Sequence, residues 1–134
     1  MIHNLQEMTK LKFQTENAKH GLSQAKGFAW FTKEEIEFGY QVLDTILEVV
    51  KSDLKEAVIP FQDIYRITYE KSWLSGHSVL IELNSLKNVN EIPFIEETTL
   101  CVELDKKDRD NARDFVAEAD LTLANFRNEQ LDKL

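Results

Sequence analysis

Three histidines, one cysteine and a scatter of acidic residues carry what catalytic or metal-binding chemistry this 134-residue chain has. His3, His20, His77 and Cys101 stand at no mutual spacing that builds a metal-ligand set. Cys101 lies between Leu100 and Val102 at strand period, which suits a small packed residue better than a nucleophile. Glu34-Glu35 and Glu96-Glu97 are adjacent acids, and neighbours on a strand point to opposite faces. Both pairs therefore read as solvated turns. Asp105, Asp108 and Asp110 have the composition of a calcium loop. They lack the glycine of its sharp turn and are interrupted by Lys106, Lys107 and Arg109. A helix N-terminus explains them better. No glycine-rich phosphate loop, nucleophile elbow or zincin helix is present. The expectation is a non-enzymatic protein without catalytic residues, metal or cofactor.

Two other features are candidates for binding. Lys10, Lys12, Lys19 and Lys26 against Glu7 and Glu16 give the first 26 residues a balance of +2. The whole chain carries −8, so the remainder carries −10. Such acidity argues against nucleic acid as a partner, because that affinity rests on neutralising phosphates. It also limits membrane contact to a peripheral one. The second feature is Trp73-Leu74 in "EKSWLSGH". At a hairpin tip, two large apolar side chains would sit where loops face water, and exposed aromatics anchor protein interfaces.

These residues need elements to position them. The length suits one domain, residues 1–134, with 1–8 as a flexible or helical extension. That N-terminal stretch has no secretory pattern, and one cysteine suits a reducing compartment, so the cytoplasm is the expected location. Ala112, Phe115, Val116, Ala119, Leu123 and Phe126 make one helical stripe, which predicts a helix over 107–128. Asp108 or Asp110 suits its start and Arg127 its end. Leu100/Val102/Leu104, Val79/Ile81/Leu83 and Tyr65/Ile67/Tyr69 alternate with polar neighbours and predict strands. Leu11 and Phe13 suggest another. Ser75-Gly76-His77 reads as the turn between strands at about 62–71 and 78–84.

Residues 30–40, "WFTKEEIEFGY", read two ways. Thr32 and Glu35 have capping-box spacing, and Ile36, Tyr40, Leu43, Leu47, Val50 and Leu54 could share a helix face over 33–56. Against this, Gly39 costs roughly 1 kcal/mol inside a helix, and the segment is rich in β-branched residues. The alternative puts Ile36, Phe38, Tyr40 and Val42 on one strand face, with a break at Asp44 and then Ile46–Val50. The alternating "GFAWFT" before it favours the strand, with "TKEE" as a turn. The whole then becomes short antiparallel strands closed by one helix, a barrel or sandwich.

"ENAKHGLSQAKGFAWFTKEEIEFGY", then "AVIPFQDIYRITYEK" and "HSVLIELN", resembles the bacterial pleckstrin-homology-like, or GRAM-like, pattern. The matching residues are Phe31 and Thr32, Ile36 and Phe38, Ile59 to Ile67, and Leu80 to Leu83. The resemblance implies about seven antiparallel strands in a barrel or sandwich capped by the C-terminal helix. Lys26 followed by a single Gly27 departs from it, since that family usually has paired glycines there. It further implies that the first two strands and their loop hold anionic groups, here through Lys10, Lys12, Lys19, His20 and Lys26. The functional expectation is a binding or scaffolding domain acting through protein contacts, including a homo-oligomer joined through Trp73 or strand edges. The alternatives are anionic-ligand or membrane-surface recognition by the lysines, or an α+β secretion-chaperone or immunity-type protein with a helix at 33–56.

Overall fold

The computed structural model describes residues 9–15, 23–44, 46–47, 49–50, 53–72, 76–87, 92 and 95–134, and within them residues 31–40 turn rather than coil. Strand β1 (Leu11–Gln14) is followed by β2 (Ser23–Phe31) and β3 (Glu35–Asp44), which pair antiparallel from Phe31↔Ile36 to Ser23↔Asp44. The Thr32 amide donates to the Glu35 carbonyl at 2.9 Å, and the Thr32 hydroxyl accepts from the Glu34 amide at 3.2 Å. Thr32 thus closes a hairpin instead of capping a helix. Among the described residues of 33–56 the chain forms strands and no helix, which overturns the helix expected over that range.

The break at Asp44 has a visible cause. Its Oδ1 accepts from the amides of Ile46 and Leu47 at 2.9 and 2.8 Å, a side-chain-made turn. The expected strand over Ile46–Val50 therefore reduces to β4 (Val49–Val50), which returns to pair with Leu43 and Asp44. β5 (Lys55–Pro60) pairs further along the same edge of β3. Pro60 ends this edge strand, where a missing N–H costs nothing.

A 3-10 turn at Phe61–Asp63 carries the chain into β6 (Ile64–Ser72), which forms a hairpin with β7 (Gly76–Leu83). Gly76 takes φ +86°, the left-handed conformation that turns reserve for glycine. His77 belongs to β7, not to the turn expected of it. An irregularity between Ile64 and Arg66 shifts the register, so Tyr65 faces solvent while Ile67 is buried. β8 (Ile95–Glu96) and β9 (Thr99–Leu104) follow, and then helix α1 (Arg109–Asp132).

The strands order as β3, β2, β1, β9, β7, β6, with β4 and β5 sharing the free edge of β3 and β8 pairing β9. The sheet curls without closing: β5 and β6 share no ladder. The protein is an open barrel or sandwich of antiparallel strands with one C-terminal helix.

The helix packs against the core beside β6, β1 and β7. Ala112, Phe115, Ala119 and Leu123 are fully buried, as their stripe requires, and Val116 and Phe126 pack partly against the core. Phe115 meets Phe31 edge-on at 5.5 Å, and Phe126 meets Phe61 at 6.0 Å. α1 starts two residues later than expected because Lys106–Asp108 form a 3-10 turn. Its N-cap is Asp108, which makes no side-chain capping bond. Arg127 does not serve the helix end. Its Nη2 donates to the carbonyls of Ile64 and Tyr65 at 2.9 and 2.7 Å, tying α1 to edge strand β6. On the other flank, Asn111 donates to the Lys10 carbonyl at 2.6 Å and Thr9 to Glu118 at 2.8 Å.

Candidate functional site

Gly27 and Gly39 shape the first recess of the surface. A Cβ on Gly27 would fall 1.9 Å from the Gly39 carbonyl oxygen, so only glycine lets β2 and β3 approach this closely. The Trp30 ring covers Gly39 from outside and donates to Glu37 at 2.7 Å. Beside this close approach, β1 and β9 pair only at Gln14↔Glu103. A cleft of 390 Å³ opens there. Lys12, Lys26 and the half-exposed Phe28 line it together with Glu103, Asp105 and Asp108.

Of the five residues expected to hold anions, the fold brings two together. Lys12 and Lys26 share the cleft; Lys10 is exposed just before β1 and is not among the lining residues. Lys19 and His20 lie outside the described residues, as do Trp73 and Leu74. Two cations against three carboxylates leave the cleft without a net positive charge.

A separate apolar surface lies at the β3–β4 end. Ile46, Leu47, Val49, Val50 and Leu54 are each between 51% and 72% exposed around the β3–β4 turn. Large side chains gathered in this way are unusual on a monomer. A helix over 33–56 would put Leu47, Val50 and Leu54 on one shared face, whereas all three are exposed.

A third grouping involves His77. It is 5% exposed, its Nδ1 hydrogen-bonds the Tyr69 hydroxyl, and the two rings stack at 5.9 Å and 25°. The Arg113 guanidinium lies 5.3 Å from the centre of the Tyr69 ring, within cation–π reach. Burial, and then the positive charges of Lys71, Arg109, Lys106 and Arg113, hold the imidazole below its usual proton affinity. Elsewhere, Glu35 is pushed up by its hydrogen bond with Glu37, by burial and by the charges of Glu37 and Glu34. Arg66 and Glu82 form a surface ion pair at 2.7 Å across β6 and β7, which lowers Glu82 and raises Arg66.

Cys101 is exposed on the outer face of β9, not packed, because Leu100, Val102 and Leu104 take the inward positions. Among the described residues no group of three or more His, Cys, Asp and Glu side chains is placed to hold a metal ion. None of their helices is long and apolar enough to cross a membrane. Comparison with known proteins adds no relative to this geometry: no family model, curated protein or solved structure matches the chain.

Proposed function

We propose that this chain is a non-enzymatic, pleckstrin-homology-like binding domain of the cytoplasm that acts through protein contacts at its β3–β4 end. The observation that carries this reading is the exposed group Ile46, Leu47, Val49, Val50 and Leu54. Removing apolar surface from water is worth about 25 cal/mol per Å², so covering these side chains together favours association. They flank the outer edge of the sheet, where β4 and β5 pair on one side with β3. An edge with apolar flanks favours a second strand, and a second copy of the chain brings the same edge in antiparallel sense about a two-fold axis. That partner is a second copy of the chain.

Light scattering behind size exclusion over a range of loading concentrations tests the reading. The expected result is a dimer that gives way to monomer when Leu47→Ser and Val50→Lys are combined. A wild-type chain that stays monomeric at every concentration overturns it.

The family-like alternative, recognition of an anion or a membrane surface by Lys10, Lys12, Lys19, His20 and Lys26, draws support from Lys12 and Lys26 sharing one cleft beside Phe28. The carboxylates in the same cleft weaken it. Sedimentation with anionic liposomes at low salt decides the matter, and Lys12→Gln with Lys26→Gln must abolish any binding found.

A further inference from the structure

We propose a second, separate site: Lys71, Lys106, Arg109 and Arg113, gathered around the Tyr69–His77 pair, bind a phosphomonoester group. Lys71 lies directly opposite His77 in the β6–β7 ladder, and His77 in turn lies opposite Leu104 of β9. Two residues beyond Leu104 stands Lys106, in the 3-10 turn that leads to α1. Arg109 and Arg113 follow one helical turn apart on the same helix flank. Three elements thus deliver four cations to one end of the molecule. Among the described residues, the only ion pair any of the four makes is a loose one, Arg109 to Asp110 at 3.9 Å.

Apart from Asp110, the neighbouring carboxylates turn away from this end. Glu70 points to the opposite face of β6 from Tyr69 and Lys71. Asp110 lies about 100° round the helix from Arg109, with only the loose 3.9 Å contact to it, and about 60° from Arg113, while Asp114 lies about 100° from Arg113 and about 140° from Arg109. Asp105 and Asp108 line the cleft with Lys12. In a chain of net charge −8, composition alone does not produce a cluster of one sign.

The charges that face His77 are Lys71 from β6, Lys106 from the 3-10 turn, and Arg109 and Arg113 from α1, all positive. Like charges held together repel, and an anion among them relieves that repulsion. A phosphomonoester suits the cluster better than a carboxylate. It carries about −1.5 to −2 charges at neutral pH and offers three acceptor oxygens, matching two guanidinium forks and two ammonium groups. The arriving negative charge would also favour the imidazolium, so occupancy is readable at His77 itself.

The test follows the His77 imidazole and backbone amides by NMR at constant ionic strength. The probes are inorganic phosphate, and phosphatidylcholine vesicles with and without phosphatidic acid, which separate a free phosphate from a lipid headgroup. The expected result is saturable shifts confined to the ends of β6, β7 and α1 and a rise in the His77 pKa. Arg109→Gln combined with Arg113→Gln is expected to weaken binding by about tenfold. Lys12→Gln with Lys26→Gln should leave it unchanged. Whichever probe responds at the lower concentration identifies the source. Should the arginine variant fail to fold, the exposed pair Lys71→Gln and Lys106→Gln must give the same loss. Absence of saturable binding to both probes, or binding that survives these substitutions, overturns the site.

Discussion

The cleft at the β1–β9 junction and the end of the molecule around His77 both collect cations, but they do so in opposite company. Lys12 and Lys26 stand among Glu103, Asp105 and Asp108. Lys71, Lys106, Arg109 and Arg113 face His77, and no carboxylate adds to the charges acting on it. One segment supplies both regions. Residues 105–114 hold four acids and four bases, so their net charge is zero. The 3-10 turn and the first turns of α1 send Asp105 and Asp108 towards the cleft and Lys106, Arg109 and Arg113 towards His77. What separates the regions is the phase of the backbone, not the number of charges.

The largest expected effect comes from removing what fixes that phase. Phe115 is fully buried and meets Phe31 edge-on, holding α1 over the sheet. Phe115→Ala should cost about 4 kcal/mol in denaturant unfolding. A loss below about 1 kcal/mol would mean that α1 is not seated as described, and the sorting of charge would lose its cause.

The cleft breaks at its floor. Gly27→Ala forces a Cβ to within 1.9 Å of the Gly39 carbonyl oxygen, a backbone atom that cannot swing aside. It should destabilise by about 3 kcal/mol. Gly39→Ala meets only the tip of the Trp30 ring at 3.3 Å, which can give, and should cost about 1 kcal/mol or less. Equal losses at the two glycines would contradict the close approach of β2 and β3 that frames the cleft.

These two glycines also show what a sequence reader sees and misses. "GFAWFTKEEIEFGY" betrayed its hairpin through alternation, and α1 through its stripe of Ala112, Phe115, Ala119 and Leu123, because burial imposes a period on side chains. It did not betray which face of β2 is inward. Phe28 is 48% exposed while Ala29 is 1% exposed. Small residues line the inside there because β2 and β3 are pressed together at Gly27 and because Phe13 and Phe38, edge-on at 5.7 Å, occupy the space. Tyr65 escaped for a similar reason, since one register irregularity reversed its direction. The lysine cluster was legible as a charge bias. Its partners in the cleft were not, because Glu103 and Asp105 lie about 80 residues further along the chain. The cations around His77 were hidden by their acidic neighbours in sequence.

The smallest expected effect tests the His77 end by pH. Its folded proton affinity lies below the ordinary histidine value of 6.5. Between the two values the unfolded chain binds more protons than the folded one. Stability is therefore fully present above about pH 6.5 and is lost as pH falls through the folded pKa. Glu35 acts in the opposite sense. Its affinity is raised from 4.5, so its contribution is present at low pH and fades as pH rises through the folded value. The opposite signs distinguish the acidic outer face of β3 from the basic end near α1. The denaturant midpoint should fall between about pH 7.5 and 5.5 in the wild type and fall less in His77→Phe, other groups cancelling in the difference. Phosphate at constant ionic strength should shrink the same fall, because a bound anion lowers the penalty on the imidazolium. A wild-type midpoint that does not differ from that of His77→Phe across this window would detach His77 from its four cations and erase the contrast with the cleft.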